Sequence, residues 1–149
     1  MRVLVQRTTQ ATVTIDREVR GEIGNGLVLF AGICAEDRAE DLEWLVQKIC
    51  SMRIFSDADG KMNLSVTDLK GALLVISQFT LHASTKKGNR PGFTLAARPE
   101  VAIPLYEEFI HRLKATGLQV ETGIFGADMK VQLINDGPVT IWLDSKNKE

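Results

Sequence analysis

The sequence predicts a layered α/β fold, a single domain in which a mixed sheet system carries two helices on one side. Three observations point to it. Leu27 to Ile33 is a continuous apolar run, and it and Leu73 to Phe79 ("LLVISQF") have the length and composition of buried strands. After each run comes a segment whose apolar residues recur at helical spacing, and segments with strand character occupy both ends of the chain. With 149 residues, 44% hydrophobic and 25% charged, the chain is long enough for one core and too apolar for disorder. One domain over 1–149, without repeats or linkers, is the expectation.

Met1 to Arg7 and Ala11 to Ile15 alternate apolar and polar residues and read as two strands. "REVRGEIGNG" adds a short strand, with Gly21, Gly24 and Gly26 as turn punctuation, before the run from Leu27. Asp37 with Glu40 resembles a capping box, and Leu42, Leu45, Val46, Ile49 and Cys50 form the stripe of a first helix. Arg53 to Phe55 reads as a strand closing into the turn "SDADGKM". The run from Leu73 ends in a long loop through "TKKGNRPGF".

The second helix is expected from about Glu100 to Thr116. Ala102, Tyr106, Phe109, Ile110 and Leu113 form its stripe, Pro104 lies in its first turn, and Gly117 stops it. Leu118 to Glu121, Met129 to Ile134 and Val139 to Leu143 supply three more strands. Asp136, Gly137 and Pro138 interrupt "LINDGPVTIWLD" and read locally as a turn between two strands, with an ordinary trans peptide.

Several function classes find no support. The formal net charge of −1 gives no global field for a polyanion. The alternating start is not a signal peptide, and no segment approaches the roughly 20 apolar residues that span a bilayer, so the expected location is the cytosol. Cys34 and Cys50 lack metal spacing and read as reduced, buried thiols. "DADG" at Asp57 lacks the glycine and glutamate positions of a calcium loop, and no phosphate-loop lysine follows the glycines of "GEIGNG".

Two features keep chemistry open. His82 is two residues from Thr80, which on a strand would put a base beside a hydroxyl. No serine elbow precedes it, and the bland reading is a histidine at the rim or surface; His111 reads as solvated. No aspartate or glutamate occurs from Gly71 to Pro99, yet Lys86, Lys87, Arg90 and Arg98 follow the apolar strand. Such a loop can meet phosphates, with Phe93 available for stacking, or can simply solubilise.

Three motifs narrow the choice. "SQFTL" at Ser77 to Leu81, "KGNRPGF" at Lys87 to Phe93 and "FGADMKVQLINDGPVT" at Phe125 to Thr140 resemble the D-aminoacyl-tRNA deacylase family, also called D-tyrosyl-tRNA deacylases. The resemblance runs from "MRVLVQR" to "LDS" and includes "RIFSDADGKMNLS". Departures are His82 where an aromatic residue is usual, Gly92 where serine is usual, and Pro104. The first weakens any role for His82 as a base.

The resemblance implies a barrel-like, mostly antiparallel mixed sheet and a cytoplasmic homodimer without metal or organic cofactor. The implied reaction is hydrolysis of the ester in D-aminoacyl-tRNA. By resemblance, backbone N–H groups of Phe79 and Thr80 are expected to stabilise the oxyanion, the substrate's 2′-hydroxyl to help activate water, and Ser77 and Gln78 to shape the pocket. Gly137 and Pro138, through a cis peptide, form a wall against L-side chains that each subunit inserts into the other's site. The resemblance likewise implies that Arg7 helps lock that motif, Met129 lines the pocket and Phe125 stacks or packs near the terminal adenine. Lys86, Lys87 and Arg90 are expected tRNA contacts. Two alternatives remain: a Thr80-nucleophile esterase and a non-catalytic RNA-binding module.

Overall fold

In the computed structural model, which describes residues 1–148, the first strand β1 (Arg2–Ile15) organises the sheet. It is one 14-residue strand rather than two. Along one edge its first half pairs antiparallel with β3 (Gly26–Gly32) and its second half with β2 (Glu18–Ile23). Register shifts between Gln6 and Ala11 bend the strand where the sequence suggested a gap, and β8 (Lys130–Asp144) pairs along the other edge on both sides of the bend.

Next come α1 (Ala39–Ser51), the small hairpin of β4 (Phe55–Ser56) and β5 (Met62–Leu64), β6 (Ala72–Ser77), a 3-10 turn (Phe79–His82), α2 (Pro99–Ala115) and β7 (Gln119–Thr122). The spatial order is β2-β1-β3-β6-β7, with β3, β6 and β7 parallel to one another and the other pairs antiparallel. The sheet nearly closes on itself: a Cβ on Gly21 of β2 would lie 3.2 Å from the Thr122 carbonyl oxygen of β7. A mixed, mostly antiparallel, barrel-like sheet with two helices is therefore the observed fold.

Both central strands are apolar up to Ser77, the last residue of β6, because each has two buried faces. Leu27, Leu29, Leu73 and Val75 pack with Leu42, Leu45, Ile49, Phe109 and Leu113 of the helices. Val28, Leu74 and Ile76 face Ala11, Val13 and Ile23 on the curled part of the sheet.

Several boundaries move. Helix α1 is capped one residue later than expected: the Arg38 N–H donates to Asp41 Oδ2 at 2.8 Å, while buried Asp37 accepts from the Cys34 N–H and the Met1 amine. Pro104 lies within α2 rather than in its first turn, which starts at Pro99. Arg53 and Ile54 precede β4 instead of forming it. The "DADG" segment is a surface turn, with Asp57 Oδ1 accepting from the Asp59 and Lys61 amides at 2.9 and 3.0 Å. Both cysteines are free but half-buried rather than buried, and the Cys34 thiol donates to Asp37 Oδ1 at 3.2 Å.

Candidate active site

Parallel strands β3 and β6 end side by side, with the Gln78 N–H donating to the Ala31 carbonyl at 2.7 Å. Instead of running on to Phe79 as expected, β6 stops at Ser77 and turns into the 3-10 segment. Gly32 permits this, since a Cβ there would meet the Gln78 carbonyl oxygen at 2.8 Å. Phe79 and Thr80 head the turn, so their amides have no acceptor within it. Neither amide makes a hydrogen bond among the described residues.

Beside these amides opens a cavity of about 260 Å³. Ser77, Gln78 and Phe79 line one side, and Phe125 and Met129 belong to its wall as well. Small residues, Ala31, Ala97, Ala102 and Ala127, leave the space. Phe125 leans on Tyr106 with ring centroids 5.8 Å apart, and the Tyr106 hydroxyl donates to the Val75 carbonyl at 3.0 Å. Burial pushes that phenol far up, so it stays a neutral donor. Five expected site residues are thus brought together.

Thr80 is exposed, and its hydroxyl accepts from Gln78 Nε2 at 2.5 Å. No couple with His82 forms. The 3-10 turn replaces the strand on which the two would have shared a face, and His82 is only 4% exposed rather than at the rim. It lies in a separate depression with Arg2, Cys34, Asp144 and Lys146, hydrogen-bonded to the Gly32 backbone, with a buried Nε2 that has no partner among the described residues. His111 is exposed.

The His82 environment predicts a pH effect. Burial above all, with Arg2 and the Met1 amine, lowers its pKa from 6.5 against the raising effects of the Gly32 bond and Asp37. Below that value the unfolded chain takes up a proton that the folded chain refuses, so stability falls as pH drops from 6.5 toward the folded pKa. Carboxylates act lower. Burial acts upward on Asp41, but hydrogen bonds from Lys146, Ser145 and the Arg38 backbone bring it to about 2, so its contribution is lost only below 3.8. His82→Phe is expected to flatten the stability profile between about pH 7 and 5, read from urea midpoints. A variant profile parallel to the wild type would refute a neutral buried imidazole.

The break in "LINDGPVTIWLD" is not a turn between strands. β8 runs through it, pairing Asn135 with Thr8 and Thr140 with Gln6. Four residues, 136–139, therefore stand opposite one, Arg7, and bulge from the ladder. Arg7 holds them. Its Nε donates to the Asp136 carbonyl at 3.2 Å and pairs with Asp136 Oδ2 at 3.0 Å, while Nη1 donates to the Ile54 carbonyl at 2.6 Å. The Gly137–Pro138 peptide is cis, and Gly137 has φ +119°, which favours glycine. Both residues are exposed and neither lines the cavity of its own chain.

Asn135, which sequence reasoning missed, spans the base of the bulge: Nδ2 donates to the carbonyls of Arg7 and Val139 at 3.1 and 2.9 Å. The only signal for it was a polar residue ahead of Asp-Gly-Pro in an apolar stretch. Tyr106, the support behind Phe125, reads in the sequence only as part of the helix stripe.

Lys86, Lys87 and Arg90 are exposed on a loop closed where Ser84 and Gly92 exchange hydrogen bonds of 2.8 and 2.9 Å. Phe93 leaves that loop to meet Phe79 edge to face, with centroids 5.0 Å apart. Among the described residues no cluster of three His, Cys, Asp or Glu side chains is arranged to hold a metal ion. No helix among them is long and apolar enough to cross a membrane.

Comparison with known proteins identifies the family. The family model described as D-Tyr-tRNA(Tyr) deacylase matches residues 4–144. A D-aminoacyl-tRNA deacylase of Flavobacterium psychrophilum is 56% identical over 150 residues, covering all of both chains, and one of Akkermansia muciniphila is 59% identical over 151 residues with the same coverage. A solved structure named c-Myc DNA Unwinding Element Binding Protein superposes with a TM-score of 0.91 at 42% identity, covering 97% of this chain and 98% of its own. With a family model spanning nearly all of its length and relatives above half identity end to end, the chain belongs to the D-Tyr-tRNA(Tyr) deacylase family.

Proposed function

We propose that the protein hydrolyses the ester of D-aminoacyl-tRNA to free tRNA and D-amino acid, sparing L-aminoacyl-tRNA, and so serves chiral proofreading in translation. The observation that carries this reading is the cavity that collects Ser77, Gln78, Phe79, Phe125 and Met129 beside two unengaged amides, in a chain whose relatives are named D-aminoacyl-tRNA deacylases.

Water adds to the ester carbonyl, whose oxygen takes the negative charge and receives the Phe79 and Thr80 N–H groups. The neighbouring 2′-hydroxyl of the substrate ribose helps to activate that water. Collapse expels the ribose 3′-oxygen, which takes up a proton. An ester is already activated, so positioning and oxyanion contacts suffice without a protein nucleophile, metal or organic cofactor. The Thr80 hydroxyl is poorly placed as a nucleophile, because Gln78 is its hydrogen-bond partner and the nearest histidine in sequence is buried elsewhere.

Discrimination rests on Gly137 and Pro138, whose backbone atoms cannot rotate aside as a side chain would. Since they lie outside their own chain's cavity, they would act in the cavity of a second copy. The homodimer reading gains support from β8, which among the described residues pairs only with β1 and exposes Ile134 and Trp142 at 58% and 48%. The basic loop with Lys86, Lys87 and Arg90 would follow tRNA phosphates, and the Phe79 and Phe93 rings would meet bases of the 3′ end. A tRNA substrate puts the protein's work in the cytoplasm.

Hydrolysis of D-tyrosyl-tRNA beside L-tyrosyl-tRNA, each with and without chelator, tests the reading. The D-ester is expected to be cleaved, the L-ester spared, and chelator to change neither. Glycyl-tRNA, which has no side chain to refuse, is expected to be cleaved in part. Binding without turnover would favour the non-catalytic RNA-binding module, and complete resistance of glycyl-tRNA would count against steric exclusion.

A further inference from the structure

We infer that Asn135 is a positioning residue for chiral selection, because its side-chain amide replaces the backbone ladder where β8 bulges. The inference rests on the reading of Gly137 and Pro138 as the screen. Between the pairs Thr8 with Asn135 and Gln6 with Thr140, the bulge carries the β8 backbone away from Arg7. An Arg7 carbonyl left there without a donor would cost stability. Asn135 Nδ2 supplies the donor at 3.1 Å and also binds the Val139 carbonyl at 2.9 Å, tying both shoulders of the bulge to β1.

The amide orientation is set from its other end. Thr140 Oγ1 donates to Asn135 Oδ1 at 3.1 Å and accepts from Gln6 Nε2 at 3.1 Å. Flipping Asn135 would aim Oδ1 at two carbonyl oxygens. Arg7 therefore fixes one side of the bulge through Asp136, and Asn135 fixes its base. A screen made of backbone excludes an L-side chain only while its carbonyls stay within a fraction of an ångström of their place. Neither Asn135 nor Thr140 lines the cavity, so both act through the backbone of 136–139.

Asn135→Asp keeps the shape but sets a carboxylate against the Arg7 and Val139 carbonyls. The ratio of D-tyrosyl- to L-tyrosyl-tRNA cleavage rates is expected to fall on the order of tenfold to a hundredfold, mainly because L-ester cleavage rises. Thr140→Val, at an exposed position, releases the amide orientation and should lower the ratio a few-fold; it decides the matter if the aspartate variant does not fold. A folded Asn135→Asp with lower melting temperature and an unchanged ratio would overturn the inference, as would an unchanged Thr140→Val. Should the wild type cleave both esters alike, the screen itself fails, and hydrogen exchange then tests the positioning separately. Amides at 137 and 139 must exchange faster in Asn135→Asp while those of β3 do not; equal rates would overturn it.

Discussion

Gly26→Ala is expected to cost more than about 4 kcal/mol and to leave little folded protein, the largest stability effect of the glycine-to-alanine changes. Gly26 opens β3 opposite Ala72 of β6. A Cβ at Gly26 would lie 1.9 Å from the Ala72 carbonyl oxygen, 2.7 Å from its carbon and 2.8 Å from its nitrogen. All three are backbone atoms, so no side chain can swing away. Relief requires β3 and β6 to part at their first pair, where the Ala72 N–H donates to the Asn25 carbonyl at 3.0 Å. That pair anchors the strands whose two faces build both core clusters. Gly24→Ala is the internal control, because nothing lies within 4 Å of its added Cβ and its φ is unexceptional. It should shift stability by no more than about 1 kcal/mol. Urea midpoints compare the two, and equal midpoints would mean that β3 and β6 part at little cost.

The same glycines show what was legible. Gly21, Gly24 and Gly26 read as turn punctuation, yet Gly21 marks the close approach that nearly shuts the sheet and Gly26 the tightest contact between parallel strands. A glycine that makes a turn and one that admits a neighbouring backbone look alike in sequence, because the neighbour is distant along the chain. The two-faced burial of β3 and β6 and the stripe of α2 were readable, since periods of 2 and 3.6 are local properties. β1 and β8 each read as two strands because the apolar–polar alternation lapses at Thr8 to Gln10 and residues of poor strand propensity interrupt β8 at Asp136 to Pro138, while their pairing with each other, on both sides of these stretches, is not visible locally. His82 misled for a related reason: its burial comes from packing against Gly32 and the depression near Arg2.

At the site, local reading found the basic loop and the interruption at Gly137–Pro138, and the family motifs added Ser77, Gln78, Phe79, Phe125 and Met129. No local signal marked the alanines that leave the cavity or the amide of Asn135. Cavities depend on what is absent from several elements at once.

Phe79→Pro is expected to lower the rate of D-ester cleavage about 10²–10³-fold relative to Phe79→Ala, the largest effect on catalysis, because it deletes the N–H to which the proposed mechanism gives the oxyanion. Proline suits the position. Phe79 opens the 3-10 turn, where an N–H has no acceptor within the turn, and Gln78 before it has φ −145° and ψ 78°, outside the helical region. Phe79→Ala removes the ring, with its contacts to Phe93 and the cavity, but keeps the amide. The ratio between the two variants therefore isolates the N–H. Thr80→Ala complements them by removing the hydroxyl and keeping its amide, and near-wild-type turnover is expected. Single-turnover measurements with D-tyrosyl-tRNA read all three and avoid confusion with product release. Equal rates for the alanine and proline variants at Phe79 would exclude that amide as a donor. Loss of several orders of magnitude in Thr80→Ala would instead return the hydroxyl as nucleophile. Exposure of Thr80 beside Gln78, with no base hydrogen-bonded to its hydroxyl among the described residues, leads us to expect the backbone to carry the charge.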